Sequence, residues 1–484
     1  MLKNYFKIAF RNLIRKKVFT FVNMSGLAIG LACTILIMLW VQNELSYDDF
    51  NKNGDNIYRV LYESKSSPGI WGMSPGLLAP EAKKAIPGVV NAARIMKRPR
   101  MVIKTIDNPQ KQAAFYEDNY YLVDPSLFKM FALPFIKGNP ETALNNGMVI
   151  TKSIALKYFG TTDVLGKRLN VNNWFDVAVT GVIKDIPQNS HFNFDMFTRL
   201  EGLKKFFPGG FTWYNAIHQT YLQLASNSNV KMVEEKLTAL NSHNNRFAAK
   251  NGTSIHLQPL RDIYLDASVL GTTVKRGDRS YVYIFSIIAL LILLIACINF
   301  INLSTAHTSS RARSIGMLKI IGAERNNLLK QILGESILMS FLAAILAIII
   351  VELALPSFNN FTGKSLALYY NNPAQILCFF FLIIITGVLA GAFPALYFSG
   401  FKPMHAFGNK WMISRTGGLR KGLVITQFTA AVFLIIVTLV ISDQLNFLRD
   451  KKLGFKKDNI VCLPVKANVA EHYQSFKNEL LMFP

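Results

Sequence analysis

Cysteine is scarce in this sequence, and its longest polar stretch, residues 44–280, has none. Three of the four cysteines, Cys33, Cys297 and Cys378, lie inside apolar runs. A disulfide framework is therefore excluded for the polar stretch. If that stretch is exported, core packing must hold it together, and its size allows this.

Charged residues are almost absent from five apolar runs, at 18–43, 281–307, 335–355, 373–398 and 422–442. The first run has 26 residues without a charge, which is about 39 Å of helix against a hydrocarbon core of about 30 Å. Because 51% of the chain is hydrophobic, these runs predict a membrane protein. So few intramembrane charges leave little for a proton or sodium relay, which disfavours an ion-coupled transporter.

Signatures of catalysis are also missing. The seven histidines are scattered, with no HExxH motif and no Cys and His pairs at metal spacing, so the sequence predicts no zinc site. Residues 72–76 imitate a nucleophile elbow, but Pro75 lacks the backbone N–H that an oxyanion hole needs. Residues 363–365 resemble the end of a phosphate-binding loop, but Phe358 occupies the first glycine position. We expect no metal, no cofactor and no enzymatic activity in this chain.

Positive charge is plentiful and concentrated. The net charge is +24, and the short segments 1–17, 311–330 and 402–421 supply +15 of it, whereas the much longer 44–280 adds +8. This distribution follows the positive-inside rule and argues against nucleic acid as a partner. It predicts a cytoplasmic N-terminus, with 1–17 as an amphipathic helix at the inner face of the lipid bilayer.

Residues 44–280 have the mixed pattern of an α+β globular domain. The pattern predicts strands at 57–62, 101–106 and 177–183, and helices at 77–85, 153–159, 194–206 and 230–247. Asp48, Asp49 and Asp55, close to the first apolar run, are interpreted as a solvated face. The fold class that follows is an α-helical transmembrane bundle with an inserted α+β periplasmic domain.

The segment 308–334 lies on the basic side, between the second and third apolar runs. Ile315, Leu318, Lys319 and Gly322 recur at helical spacing, and Gly322 stands where a left-handed C-cap would end a short helix before a second one starts. A short amphipathic helix at the inner membrane face is a docking surface. The alternative is that the basic residues only anchor the topology; these are Arg311, Arg313, Lys319, Arg325 and Lys330.

Two pairs of glycines stand one helical turn apart in apolar runs. Gly26 and Gly30 lie in the first run, and Gly387 and Gly391 lie in the fourth. Such faces allow close packing of helices. The sequence leaves open whether they pack within one chain or across a dimer.

The fifth apolar run repeats the setting of the first. Residues 49–60 read DFNKNGDNIYRV and 453–464 read LGFKKDNIVCLP, and each follows a basic segment and one span. We interpret 422–442 as the start of a second unit and 443–484 as the start of a second, incomplete periplasmic domain. A full second copy would bring the chain to about 800 residues, so the sequence is interpreted as a fragment.

The motifs of the chain resemble those of bacterial ABC transporter permeases of the MacB and FtsX type, in the long form with two permease units. The polar stretch resembles a MacB-like periplasmic core domain at 130–135, 154–160, 165–167 and 179–182. The segment after the second run resembles the FtsX-like signature. Ser314 departs from the acidic residue usual in that signature, which weakens any claim about a specific salt bridge to an ATPase.

The resemblance implies a bacterial inner-membrane, multi-pass permease subunit of an export or extrusion system. It implies an ABC-type ATPase as a separate partner, and a stroke passed from that ATPase to the periplasmic domain, called mechanotransmission. A further partner in the periplasm or outer membrane is an open expectation. The alternative function is a signal-transmitting regulator of a cell-wall hydrolase or sensor kinase. The residues implied in coupling to the ATPase are Arg311, Arg313, Ile315, Gly316, Leu318, Lys319, Gly322, Ala323 and Glu335.

The domain organisation predicted from these observations has eleven consecutive segments. They are the cytoplasmic helix 1–17, the first span 18–43, the periplasmic domain 44–280, the second span 281–307, the coupling loop 308–334, the third span 335–355, the outer loop 356–372, the fourth span 373–398, the cytoplasmic linker 399–421, the fifth span 422–442 and the segment 443–484.

Overall fold

A computed structural model describes most of the chain, namely residues 17–107, 113–205, 207–306, 317, 319–322, 324–399, 412–451 and 472–482. In it a long helix is followed by an α+β domain and then by further long helices. The first helix, α1, covers Lys17–Leu45. Its 29 residues make about 44 Å of helix, which exceeds the thickness of a hydrocarbon core.

The inserted domain is built on one mixed sheet. Within the described residues it has fourteen strands, β1 (Ile57–Ser64), β2 (Ser67–Trp71), β3 (Ser74–Pro75), β4 (Val89–Arg98), β5 (Met101–Thr105), β6 (Ala114–Glu117), β7 (Tyr120–Val123), β8 (Phe135–Lys137), β9 (Gly147–Thr151), β10 (Arg168–Val171), β11 (Phe175–Ile183), β12 (Met196–Arg199), β13 (Ala216–Leu224) and β14 (Ser254–Pro259). The strand order is β14-β1-β13-β4-β7-β12-β9-β11-β10-β5-β6, and β2, β3 and β8 pair with β1, β13 and β11 outside this path. β9 runs parallel to β11, and β7 runs parallel to β12.

Short helices cover the sheet. They are α2 (Leu78–Ala85), α3 (Leu127–Met130), α4 (Lys152–Phe159), α5 (Val230–Asn244) and α6 (Arg246–Lys250). The sequence explains the ends of α4, because the Thr151 side chain accepts a hydrogen bond from the amide of Ile154 and Gly160 ends the helix with φ +70°. Apolar residues on both faces of the sheet are buried, including Phe197, Tyr221, Met148 and Val179.

The helix predicted at 194–206 is wrong. Residues Met196–Arg199 form β12, and Leu200–Lys205 form a 3-10 helix. Met196 and Phe197 are consecutive and both fully buried, which a strand covered on both faces permits, since successive side chains point to opposite sides. Pairing with β7 and β9 therefore overrides the helical spacing of the aromatic residues.

Three long helices follow the domain: α7 (Arg279–Ala306), α8 (Arg325–Thr362) and α9 (Pro373–Ser399). They pack with α1 into a four-helix bundle, in which α1 contacts α7 and α8, and α9 contacts α7 and α8. Its core includes Leu31, Phe300, Met339, Val351 and Ala390. A second compact unit starts at Arg415 and contains most of α10 (Met412–Asp450) and all of α11 (Tyr473–Leu480). Among the described residues, five helices are long and apolar enough to span a membrane: α1, α7, α8, α9 and α10.

Helix α8 is longer than the third apolar run. It begins at Arg325, so the second helix predicted in the segment 308–334 and the third span are one continuous helix. At its other end α8 continues through Pro356 to Thr362, and Gly363 ends it with φ +63°. The segment between α8 and α9 is correspondingly short.

Candidate functional site

We call residues 308–334 the inner segment. The structure describes only some of the residues that were expected to couple this segment to an ATPase. Arg311, Arg313, Ile315, Gly316, Leu318 and Ala323 lie outside the described residues. Gly322 has φ +95°, and its amide donates to the carbonyl oxygen of Lys319 at 3.0 Å. A glycine with positive φ is the usual end of a helix, as the sequence predicts at this position.

Lys319 connects this segment to the bundle. Its Nζ donates to the carbonyl oxygen of Ser399, the last residue of α9, at 2.7 Å. Burial, followed by the neighbouring positive charge of Arg325, lowers the pKa of Lys319. Glu335, the remaining residue of the expected set, lies inside α8.

Three apolar side chains that the sequence analysis did not single out are exposed beside Lys319. Met317, Ile320 and Ile321 have 54%, 58% and 76% of their surface exposed. Their spacing of i, i+3 and i+4 places them on one side of a helical turn and is the sequence signal that could have found them. We call these three residues the inner apolar face.

The first glycine pair lies against α7. A Cβ atom added at Gly30 would lie 2.5 Å from the Cβ of Ala296, and one added at Gly26 would lie 3.0 Å from Nδ2 of Asn299. Atoms do not approach so closely without displacement. The absence of a side chain at Gly30 therefore sets the distance between α1 and α7.

The second glycine pair lies against α8. A Cβ atom at Gly387 would lie 2.8 Å from the Cα of Ile337, and one at Gly391 would lie 2.7 Å from the Cβ of Ser336. Both glycine faces thus contact helices of the same chain. The close approach couples α9 to α8 at the level of Ser336 and Ile337.

An ion pair lies where α1 enters the inserted domain. Glu44 near the end of α1 is buried, with 3% of its surface exposed, and it pairs with Lys364, which follows α8. The Lys364 Nζ also donates to the hydroxyl of Tyr47 at 3.1 Å and to that of Tyr264 at 3.3 Å. The Tyr264 hydroxyl donates to Oε1 of Glu44 at 3.2 Å. We call Glu44, Tyr47, Tyr264 and Lys364 the junction cluster.

The protonation of the junction cluster follows from its contacts. Burial by itself lowers the pKa of Lys364, but hydrogen bonds to Glu44 and Tyr47 outweigh burial and raise it. Burial raises the pKa of Tyr264, and hydrogen bonding with Tyr47 raises it further. Lys364 is therefore a cation and Tyr264 a neutral donor at neutral pH. A buried ion pair is tolerated when further hydrogen bonds satisfy it, as they do here.

The junction cluster joins three segments of the chain. Glu44 and Tyr47 lie at and just after the end of α1, Lys364 follows α8, and Tyr264 belongs to the inserted domain. Gly277, on the approach to α7, passes so close that an added Cβ would lie 2.5 Å from Cε1 of Tyr264 and 2.9 Å from Oε2 of Glu44. In the sequence Lys364 stands out only within residues 363–365, which resemble the end of a phosphate-binding loop, and its partners here are too distant in sequence for any local motif to reveal them.

Asp48 corrects the interpretation of the nearby acidic residues. It is 1% exposed, so it does not belong to a solvated face. Its backbone has φ +63°, and its Oδ2 lies 2.7 Å from Nδ1 of His191, whose Nε2 lies 3.1 Å from the hydroxyl of Tyr221. Asp49 and Asp55, in contrast, are partly exposed and pair with Arg261. The chain leaving α1 is thus fixed to the domain core through Asp48.

Two family models match the chain over these same parts. The MacB-like periplasmic core domain matches residues 20–240, and the FtsX-like permease C-terminal model matches residues 286–403. The first range covers most of α1 and the inserted domain. The second covers α8, most of α7 and α9, and the inner segment.

The chain is similar to curated relatives of the same kind. It is 23% identical to the uncharacterised ABC transporter permease YvrN of Bacillus subtilis (strain 168), over 83% of this chain and 98% of that protein. It is 31% identical over 109 residues to the macrolide export ATP-binding/permease protein MacB 1 of Aeromonas hydrophila, covering 22% of this chain and 16% of that protein. The chain therefore spans less than one fifth of that MacB relative.

Two solved structures are similar to part of the chain. A domain of a permease protein from Porphyromonas gingivalis has a TM-score of 0.38 and 23% identity, covering 46% of this chain and 96% of that one. The periplasmic region of MacB from Actinobacillus actinomycetemcomitans has a TM-score of 0.32 and 15% identity, covering 43% and 91%.

A membrane bundle with an inserted α+β domain, matched by these two family models in this order, defines an ABC transporter permease. The chain belongs to the MacB/FtsX type of these permeases.

Proposed function

We propose that this chain is the membrane subunit of an ATP-powered export or extrusion system. A separate ABC-type ATPase binds the inner segment and carries out hydrolysis, and the bundle transmits the resulting motion to the inserted domain. The substrate is a peptide, a lipoprotein or an amphipathic drug at the outer side of the membrane. Because basic residues are concentrated in 1–17, 311–330 and 402–421, we expect the N-terminus and the inner segment to lie on the cytoplasmic side of a bacterial inner membrane and the inserted domain to lie in the periplasm.

The single observation that carries this proposal is the junction cluster. Helix α8 runs without interruption from Arg325, beside the inner apolar face, to Thr362. Two residues later Lys364 is bonded to Glu44 of α1 and to Tyr264 of the inserted domain. A displacement of α8 by an ATPase therefore reaches the domain through directly bonded groups.

The inner apolar face lies beside the opposite end of α8, near Arg325, where we propose that the ATPase binds. Three exposed apolar side chains on one turn are costly to hydrate, and clusters of this kind mark contacts with another protein or with a membrane. Lys319 anchors the same turn to α9, so a bound partner contacts two helices of the bundle at once.

The test is hydrogen–deuterium exchange of the permease with its co-purified ATPase in nanodiscs. Exchange is compared with and without ATP and vanadate, which trap the closed ATPase. We expect nucleotide trapping to change exchange in residues 260–278, the part of the inserted domain nearest the junction cluster. Lys364→Met is expected to remove that change while the ATPase stays bound and active.

The matched control is Lys129→Met. Lys129 also pairs with a carboxylate, that of Glu141 at 3.5 Å, but both side chains are exposed. This variant is expected to respond to nucleotide as the wild type does. Exchange that is identical with and without nucleotide in the wild type would contradict the proposed transmission.

A further inference from the structure

The inserted domain contains a cavity of about 1020 Å³ that none of the coupling residues touches. Its floor is the sheet face formed by β4, β7 and β12, where Met96, Tyr120 and Leu122 lie. One wall is the segment after β12, with Leu203 and Phe207, and the opposite wall is the turn between β10 and β11. Its volume is at the upper end of the range for small-molecule sites, about 300–1,000 Å³.

The walls of this cavity are apolar and incompletely packed. Phe175 and Val177 share a face of β11 with Val179, which is fully buried, yet both are only partly buried because the cavity opens beside them. At the mouth Trp174 and Phe207 expose 60% and 41% of their surface. This much apolar surface around one concave site indicates a ligand with an apolar body.

The charged residues that line the cavity in the described part of the chain are all positive. Among the described residues that line it there are two arginines and no carboxylate. Arg199 is already paired with Glu201, at 2.9 Å from its Nε. Arg98 is half-buried, and within the described residues its guanidinium has no hydrogen-bond acceptor and no acidic partner. A partly buried guanidinium without such partners favours a carboxylate or another oxyanion with matching geometry.

The register of β4 and β7 places Arg98 next to the apolar residues on the floor of the cavity. Arg98 of β4 lies directly opposite Tyr120 of β7, and Met96 lies opposite Leu122. Directly opposite residues in antiparallel strands have their Cβ atoms about 5 Å apart. The charged group and the apolar surface are therefore adjacent, so one ligand contacts both.

We propose that this cavity binds a single-chain anionic amphiphile, whose carboxylate pairs with Arg98 and whose acyl chain lies on Met96, Leu122 and Val177. The inference adds a ligand class to the proposed function. It makes no use of the ATPase or of the junction cluster. The amphiphile can therefore fail to bind while the proposed transmission through the bundle occurs, and transmission can fail while the amphiphile binds.

The experiment is photo-crosslinking of the full chain in phosphatidylcholine nanodiscs, without ATPase. The probes are a diazirine-bearing palmitate and the matching fatty alcohol, and the labelled peptides are mapped by mass spectrometry. Both probes label the spanning helices from the bilayer, which gives an internal reference in every sample. We expect the acid, and not the alcohol, to label β7, β11 and the segment 200–207 as well.

Variants separate charge recognition from partition into the domain. Arg98→Gln is expected to lower labelling of the cavity by about tenfold relative to the spanning helices, because a charge-assisted hydrogen bond is lost. Arg98→Lys, which keeps the charge, is expected to retain part of the labelling. Arg199→Gln is the matched control and is expected to label as the wild type does, because Arg199 is already neutralised by Glu201.

Three outcomes would overturn the proposal. One is labelling confined to the spanning helices. The second is equal labelling of the cavity by acid and alcohol, and the third is equal loss in Arg98→Gln and Arg199→Gln. Thermal unfolding of each variant shows whether a loss of labelling comes from the missing guanidinium or from a destabilised fold. If Arg98→Gln is unstable, Arg98→Lys is compared with the wild type instead.

Discussion

The ammonium group of Lys364 forms a buried ion pair with the carboxylate of Glu44, which lies 320 residues earlier in the chain. This contact closes the bundle on the side of the inserted domain. It fixes the segment after α8 to the end of α1, and the two tyrosines of the junction cluster bring the domain into the same network.

The first prediction concerns the stability of this ion pair. Lys364→Met should destabilise the protein by about 3–5 kcal/mol, because it leaves the Glu44 carboxylate buried without a cation. The double variant Glu44→Gln, Lys364→Met should recover much of that loss. Lys129→Met, at an exposed pair, should cost under about 1 kcal/mol. Denaturant unfolding of the wild type, Glu44→Gln, Lys364→Met and the double variant measures the coupling, and strictly additive losses would show that the pair does not act as a unit.

The second prediction concerns docking of the ATPase. Ile320→Asp should abolish co-purification of the ATPase, because truncating one anchor residue commonly costs about 2 kcal/mol, roughly thirtyfold in affinity, and the charge adds to this. The same result is expected for Ile315→Asp and Leu318→Asp. Expression and membrane insertion should be unchanged.

The control for docking is Lys330→Asp in α8, which should weaken the complex much less. Surface substitutions outside an interface usually stay within about 0.5 kcal/mol. If Ile320→Asp and Lys330→Asp affect co-purification equally, the segment acts only as a topological anchor.

The third prediction concerns topology. A cysteine at Asn227, exposed in the inserted domain, should react in intact cells with a membrane-impermeant thiol reagent, and one at Asn326, exposed near the start of α8, should not. The reason is the concentration of basic residues on the side of Asn326. Both variants are made in a background without the four native cysteines. Labelling of Asn326 with protection of Asn227 would invert the orientation.

The fourth prediction concerns the glycine contact between α1 and α7. Gly30→Val should destabilise the bundle by about 1–3 kcal/mol, because the added carbons overlap Ala296. Gly334→Ala in α8 is the matched control: nothing lies within 4 Å of its added Cβ, so the change should be neutral or stabilise the helix by up to about 1 kcal/mol. Thermal unfolding in detergent measures both, and equal effects would exclude close packing at Gly30.

The fifth prediction concerns pH. His218 is buried, its Nε2 lies 2.8 Å from the carbonyl oxygen of Gly210, and burial lowers its pKa below 6.5. The folded state therefore binds fewer protons than the unfolded state, so the contribution of His218 to stability is complete above pH 6.5 and is lost as the pH falls. The slope for one group is at most about 1.4 kcal/mol per pH unit.

A substitution isolates this contribution. His218→Gln keeps a side-chain donor for Gly210 but does not titrate. The difference in unfolding free energy between the wild type and His218→Gln should shift against the wild type between pH 7 and pH 5. A difference that does not change with pH would mean that His218 is not titrating on unfolding.

Local patterns in the sequence predict the elements that have strong local signals. The apolar and aromatic residues of β1 and the capping residues Asn229 and Gly160 lie within or next to the elements they define, and the structure has the strand and both helices there. Long uncharged runs likewise predict the spanning helices, because the membrane requires about 20 apolar residues in succession.

The rest depends on contacts between distant segments. The sequence of β12 alone favours a helix, and its pairing with β7 and β9 makes it a strand. The sequence around Asp48 alone favours a solvated side chain, and the contact with His191 shows that it is buried. Lys364 and Glu44 each look like an ordinary charge at a membrane boundary. Only the packing of α8 against α1 brings them together and excludes water from them.

Helix α8 is much longer than the hydrocarbon core of a membrane is thick. Its 38 residues extend about 57 Å, nearly twice the hydrocarbon thickness, so both of its ends project from the bilayer. If α8 moved as one body, a tilt of about 5° would displace its far end by about 5 Å. A displacement of that size exceeds the length of any hydrogen bond that Lys364 makes. A rotation of that size near Arg325, if the proposed ATPase imposed it, would therefore be enough to break and remake the contacts of Lys364 with Tyr47 and Tyr264.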